Sequence, residues 1–296
     1  MTPRMTPRVR GMRGVSWVAV GARTLSGSHD ERSSMKVRLR YAKRGKLRFA
    51  SHRDVARAFE RALRRTGLPV AYSQGFSPHP KVSWVGAAPT GAASEAEYVE
   101  IQFQEQLDPE LVCAKLDAAL PDGLAILEGV LAGPGGLTER MTASAWRIEV
   151  RGVTAPQLRQ AVRALLAAPE ALVERVTKTG RRSIDARAAI VSLDVEDCPS
   201  VPPVPDQLSG CGILIAVVRQ VSPAVRPDDV LSALGAVGGV PSAVLAKAIR
   251  TAQGWLDDDG GLVDPLMADR VTARTALMES DDGSNQHDVA DMPADR

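Results

Sequence analysis

Cysteine is scarce in this chain: Cys113, Cys198 and Cys211 are the only three in 296 residues. No two are spaced Cys-x-x-Cys, and no Cys-x-x-x-Cys-x-x-Cys occurs. That argues against a zinc ribbon and against a cluster-ligating set. The three read as small buried hydrophobes in a reducing compartment. Aromatic residues are also few, at 4% against 44% hydrophobic residues overall. The core must therefore be filled by Ala, Val, Leu and Ile. No apolar run approaches the roughly 20 residues that cross a bilayer. Val15–Ala22 (VSWVAVGA) follows an Arg-rich start, but it is short and no small-residue cleavage site follows. No P-loop, dinucleotide fingerprint or Ser-His-Asp spacing appears. These absences point to a cytoplasmic protein that does not engage a membrane and binds no metal or cofactor of its own.

What is present is charge, unevenly spread. The net charge is only +2. Yet residues 36–81 hold 13 Lys or Arg and only 2 acidic residues, Asp54 and Glu60. Residues 82–296 are correspondingly acidic. A basic module joined to an acidic one points to a polyanionic partner. Binding of this kind releases counterions and weakens steeply with salt.

The charges are ordered on recognisable elements. Lys36–Tyr41 (KVRLRY) alternates strictly, with Val37, Leu39 and Tyr41 inward and Lys36, Arg38 and Arg40 outward. Lys43-Arg44-Gly45-Lys46 makes a turn. Leu47 and Phe49 then resume the apolar face, with Lys46 and Arg48 opposite. Ser51 and Asp54 form a capping box for a helix that runs to Thr66 and stops at Gly67. Arg53, Arg57, Arg61 and Arg64 line one face of it, and Glu60 can pair with Arg64 only. A short strand follows at Leu68–Tyr72, then a loop from Ser73 to Lys81 and a strand at Val82–Val85. Glu97–Phe103 is a strand, Asp108 caps a helix to about Leu120 with Pro109 at its first position, and Leu124–Leu131 is a strand.

This order, β-α-β-β-α-β, is the ferredoxin-like unit. Its helices cover one sheet face and leave the other free to bind. After Gly133-Pro134-Gly135-Gly136 a second round begins: strand Ala145–Arg151, helix Pro156–Ala167 and strand Leu172–Thr179. Residues 183–195 are ambiguous. A Pro-rich loop at Pro199–Pro205, strand Gly212–Gln220 and helix Asp228–Leu234 complete the round. The expected fold is α+β: two tandem ferredoxin-like halves with disordered N- and C-terminal tails. Residues 35–132 form the basic domain and residues 141–240 the second half. Residues 1–34 are a disordered tail or a start placed too early. Residues 256–296 are a disordered acidic tail.

Three blocks carry a family resemblance. Arg48-Phe49-Ala50-Ser51-His52-Arg53-Asp54 and Phe59–Arg65 make the first. Gly67–Lys81, which contains Ser73-Gln74-Gly75-Phe76-Ser77-Pro78-His79-Pro80-Lys81, makes the second. Pro89, Gly91, Ser94 and Glu95–Glu100 make the third, with Ile184, Asp185 and Arg187 as a weaker later match. On these residues the chain, from Met35 to about Leu234, resembles the radical-SAM-linked family, a domain of unknown function. The resemblance implies an accessory role beside a separate radical SAM enzyme. That partner would carry the iron–sulfur cluster, SAM and cobalamin.

The candidate nucleic-acid-binding residues are Lys36, Arg38, Arg40, Lys43, Arg44, Lys46, Arg48, Arg53, Arg57, Arg61, Arg64, His79 and Lys81. Gly75 and two prolines stiffen the loop that carries His79 and Lys81. His52, Arg53, His79 and Lys81 can converge on one anionic group near the helix N-terminus. Phe76 either plugs the core or, with Tyr72, stacks on a base. His52, Asp54 and His79 are the candidates for catalysis. Glu95 with Glu97, and Asp185 with Arg187, share strand faces; an ion pair is the expectation for the latter. The expected function is an accessory RNA-binding protein for a radical SAM enzyme in RNA modification or processing. The alternatives are a stand-alone RNA-modifying or RNA-cleaving enzyme, and a protein–protein adaptor.

Overall fold

The computed structural model describes residues 34–177, 180–199, 210–241 and 245–272. The tails expected at 1–33 and 273–296, and residues 200–205 of the proline-rich loop, lie outside the described residues. The alternating start forms β1 (Met35–Lys43). Leu47 and Phe49 do not resume a strand; Gly45–Phe49 coil into a 3-10 turn. The expected capping box forms: Ser51 accepts from the Asp54 N–H, the Asp54 carboxylate accepts from the Ser51 N–H, and α1 (His52–Thr66) ends at Gly67 with φ 63°. The strand expected at Leu68–Tyr72 is reduced to isolated bridges, Val70 to Phe103 and Tyr72 to Pro80. β2 (Val82–Val85), β3 (Ala93–Phe103), α2 (Pro109–Ala119) and β4 (Leu124–Leu131) follow, with Asp108 capping α2.

The second round contains β5 (Ala143–Arg151) and α3 (Ala155–Ala167). β6 (Leu172–Thr177) and β7 (Gly180–Asp185) then pair only with each other, as a separate two-stranded sheet. The ambiguous stretch resolves into the end of β7, a short α4 (Ala186–Ala189) and β8 (Ile190–Asp197). Asp185 turns the chain there by accepting from the Arg187 and Ala188 N–H groups. β9 (Cys211–Arg219), α5 (Pro227–Gly238), β10 (Leu245–Leu256) and β11 (Leu262–Val263) complete the described elements.

The protein is mixed α/β, built on one large, mostly antiparallel sheet in the order β4-β1-β3-β10-β5-β9-β8, with β2 on β3 and β11 on β10. Neighbours are antiparallel, except that β10 runs parallel to β3 at Ile249–Ala93 and Arg250–Ser94. α1 and α2 bury Val55, Phe59, Leu63, Val112 and Leu116 against Val37, Leu39, Val99 and Ile101. α3 and α5 pack Leu158, Leu165, Val230 and Leu234 against Ile148, Leu214 and Val218.

Three expectations are corrected. The sheet face opposite α1 and α2 is not free: Tyr98 and Ala96 on that face are buried beneath Leu137, Met141 and Leu266. The chain beyond residue 255 is structured as far as 272. β11 pairs with β10, Leu266 is fully buried, and residues 267–272 are helical. Asp269 there is an internal partner for Arg38 and Arg140, which composition alone does not reveal. Cys198 and Cys211 are not two separate thiols; they form a disulfide between the end of β8 and the start of β9. Cys113 stays free and half-buried, and burial pushes its thiol up to about 11.

Candidate nucleic-acid interface

The cations of β1 are engaged by partners, and Arg38 and Lys43 are buried. Arg38 is 3% exposed and bonds Glu100 at 2.9 Å, Asp269 at 2.7 Å and the Gly135 carbonyl. Asp269 is wholly buried; it also accepts from Arg140 at 2.9 Å and from the Gly133 N–H at 3.0 Å. Lys36 pairs with Glu100 at 2.9 Å, and Arg40 approaches Glu128 at 3.6 Å. Glu128 is also gripped by Arg270 of the C-terminal segment. Lys43 is buried and donates to the Ala88 carbonyl at 3.3 Å. Burial pulls its ammonium below the usual lysine range. Arg44 holds Glu95, with Nε at 2.7 Å from Oε1. The alternating pattern predicts an outward cationic face for Lys36, Arg38 and Arg40, and a turn for Lys43 and Arg44. Instead Arg38, and Arg40 through Glu128, tie the sheet to the linker and the C-terminal segment.

Helix α1 is different. Its apolar stripe is buried, and Arg53, Arg57, Arg61 and Arg64 stand exposed on the outer side. Arg64 has only a loose contact with Glu60 at 3.9 Å. Among the described residues, no carboxylate lies within salt-bridge distance of Arg53, Arg57 or Arg61, although the Asp54 charge acts on Arg57. Successive positions i, i+4 and i+8 stack these guanidinium groups along one edge of the helix. Arg65 is turned away and donates to the Ala119 carbonyl at the end of α2. Lys46 is exposed before the helix, and Arg48 lies over the Phe49 ring with its guanidinium 4.6 Å from the centroid.

The loop between Tyr72 and Lys81 stands beside α1. Tyr72 and Pro80 bridge its legs; the Ser73 N–H donates to the His79 carbonyl at 2.8 Å, and the His79 N–H to Ser73 Oγ at 3.0 Å. The Lys81 N–H donates to the Ala71 carbonyl at 2.8 Å, which roots the loop. His79 and Lys81 are exposed. A shallow groove lined by Ala56, Glu60, Pro80, Val82 and Trp84 joins the loop to α1. Phe76 does not plug the core: it is completely exposed.

The catalytic candidates do not assemble into a catalytic group. Hydrogen bonds from the Ser51 hydroxyl and N–H hold the Asp54 carboxyl below the usual range, so it is occupied as a cap. His52 meets Trp84 edge to face at 5.5 Å. His79 lies on the loop, away from any described carboxylate pair. Glu97 is buried against Arg250 rather than beside Glu95. Asp185 and Arg187 do not pair: Asp185 caps α4, while Arg187 donates to the Leu166 carbonyl at 3.2 Å. The cysteines do not fit an iron–sulfur cluster, since two are bonded together and the third stands alone.

A family model described as "Uncharacterized protein conserved in bacteria (DUF2344)" matches residues 36–227. The chain belongs to this family. The DUF2344 description names no reaction and no partner. The match takes in α1 and the 72–81 loop, and it stops before β10 and the C-terminal segment that completes the sheet. No curated protein matches the chain. Among solved structures, "Crystal Structure of an Unknown Protein from Galdieria sulphuraria" is 16% identical, covering 73% of this chain and 98% of that one at a TM-score of 0.22. Among the described residues, no helix is long and apolar enough to cross a membrane.

Proposed function

We propose that this DUF2344 protein binds RNA through the arginine edge of α1 and the adjoining 72–81 loop, and acts as an accessory subunit rather than an enzyme. One observation carries this reading: Arg53, Arg57 and Arg61 are exposed in line with no carboxylate in salt-bridge contact among the described residues, only the Asp54 charge acting on Arg57 from further off, while the cations of β1 are nearly all paired. Leaving guanidinium groups largely uncompensated side by side is unfavourable through mutual repulsion. A polyphosphate backbone relieves that repulsion and releases its own counterions. His79, Lys81 and Lys46 are further exposed cations or donors of the same basic module.

The chemistry in this reading belongs to a separate radical SAM enzyme, as the sequence resemblance implies. That enzyme brings the iron–sulfur cluster, SAM and cobalamin. The setting in this reading is the cytoplasm, where RNA is met, which makes the Cys198–Cys211 bond one of the uncommon disulfides of a reducing compartment. The scaffold reads as two tandem ferredoxin-like units. In support, each round follows the chain order β-α-β-β-α-β, with β4-β1-β3-β2 in the first and β10-β5-β9-β8 in the second. The β6–β7 hairpin is an insertion in the second round.

Purification of the tagged chain with and without nuclease tests the proposal. RNA should accompany the wild type, and the combined change Arg57→Ala, Arg61→Ala and Arg64→Ala should abolish it. Recovery of an acidic protein that survives nuclease, with no RNA in either sample, would assign the surface to a protein partner instead.

A further inference from the structure

We infer that the RNA taken by this surface is single-stranded, with an unpaired base stacked on Phe76. The inference rests on the RNA-binding reading and adds the class of RNA. Phe76 is one of only four phenylalanines in the chain, yet it is exposed to its full extent. A lone exposed apolar residue needs no explanation. This one sits at the end of a braced finger. Its legs are joined by the Tyr72–Pro80 bridge, by the Ser73 N–H to the His79 carbonyl at 2.8 Å, and by the His79 N–H to Ser73 Oγ at 3.0 Å. Pro78 and Pro80 fix two backbone angles, and Gly75, at φ 131°, lets the tip turn. The ring is therefore held out by a frame that has already lost much of its conformational freedom. That is the arrangement a stacking platform needs.

Other rings reach the surface near the finger and the start of α1. Tyr72 is 43% exposed at the base of the finger. Pro80 and Trp84 line the groove shared with Ala56 and Glu60 of α1. His52 caps the Trp84 edge, and Phe49, 59% exposed, carries the Arg48 guanidinium on one face. So the start of α1 and the neighbouring finger carry rings beside cations: Phe49 and Arg48, His52 and Arg53, and Phe76 on the finger that also carries His79. Cations alone would serve any polyanion, duplex included. In a duplex the base faces are stacked internally, and the deep, narrow A-form major groove admits no side chain. Rings interleaved with cations suit a strand whose bases are free.

The test measures binding by fluorescence anisotropy, using the full chain and three probes: a single-stranded mixed-sequence RNA of roughly 12 nucleotides, its duplex, and inorganic polyphosphate. The proteins are wild type, Phe76→Ala and Phe76→Trp. Phe76 touches no core residue, so both variants should melt like wild type. Phe76→Ala should weaken single-strand binding by about 5- to 150-fold, the range that one lost base stack gives. It should leave polyphosphate binding unchanged, and Phe76→Trp should keep wild-type affinity. A loss under about twofold for the single strand, an equal loss for polyphosphate, or a wild type that prefers the duplex overturns the inference. The first and third of those results leave RNA binding by α1 standing. A wild type that binds none of the three probes removes both.

Discussion

Asp269→Asn is the sharpest structural prediction. Asp269 is wholly buried and receives Arg38, Arg140 and the Gly133 N–H at 2.7–3.0 Å. It joins the C-terminal segment to β1 and to the linker after β4. Burial opposes the Arg38 charge, but hydrogen bonds to Asp269 and Glu100 more than offset it, so its pKa is raised and it stays cationic. Replacing the carboxylate with an amide leaves that cation buried with one counter-charge fewer. Removing one partner of a buried pair costs about 3–5 kcal/mol. Arg38 keeps Glu100, and Arg140 keeps the Pro265 and Pro134 carbonyls, so the low end applies. A loss of about 3 kcal/mol corresponds to a fall in Tm of roughly 6–12 °C for a domain of this size. Differential scanning calorimetry reads it directly. The combined change Arg38→Met with Asp269→Asn should cost less than the two single losses added, because the two groups pair with each other. A melting point for Asp269→Asn within about 2 °C of wild type would refute the clasp.

Three further outcomes follow from the same interactions. Glu97→Gln strands Arg250 between β3 and β10 and should cost about 3–5 kcal/mol in urea unfolding, whereas Arg61→Ala should stay within about 0.5 kcal/mol. Burial pushes the Glu100 carboxyl up, but Lys36 and Arg38 more than offset it and hold it below the usual range. Its contribution should therefore be fully present above the unfolded value near about 4.3 and be lost as pH falls through the lower folded value; melts across acid pH should flatten in Glu100→Gln. Cys198→Ser opens a disulfide spanning 13 residues and should cost about 3 kcal/mol, with a thiol titration of the denatured wild type counting one free group, Cys113.

The longer helices α1, α2, α3 and α5 were legible because their signals are local, whereas the short α4 was not. Ser51 with Asp54 starts α1 and Gly67 stops it; Asp108 and Pro109 start α2. β1, β4 and β9 showed plain apolar patterns. β10 hid because its inward positions include Arg250 and Gln253, whose partners are Glu97 and the Ala96 carbonyl on β3. A buried polar strand looks like a loop until its distant partner is known. The fate of the β1 cations was hidden for the same reason: Asp269 is 231 residues from Arg38. Nothing in the spacing of Cys198 and Cys211 marks a pair. The arginine edge of α1 was readable from spacing alone, because an amphipathic helix leaves its outer face no other place to go. Whether Phe76 turned inward or outward was not readable, since a single apolar residue in a loop has no periodicity to orient it.

The salt dependence of RNA binding tests the central claim most directly. Filter binding of wild type and of the Arg57→Ala, Arg61→Ala, Arg64→Ala variant, between about 50 and 200 mM salt, gives the slope of log affinity against log salt. Each lost phosphate contact on a single strand removes about 0.7 from that slope, so the variant should be shallower by about 2 and weaker at every salt concentration. Equal slopes for the two proteins would contradict the account.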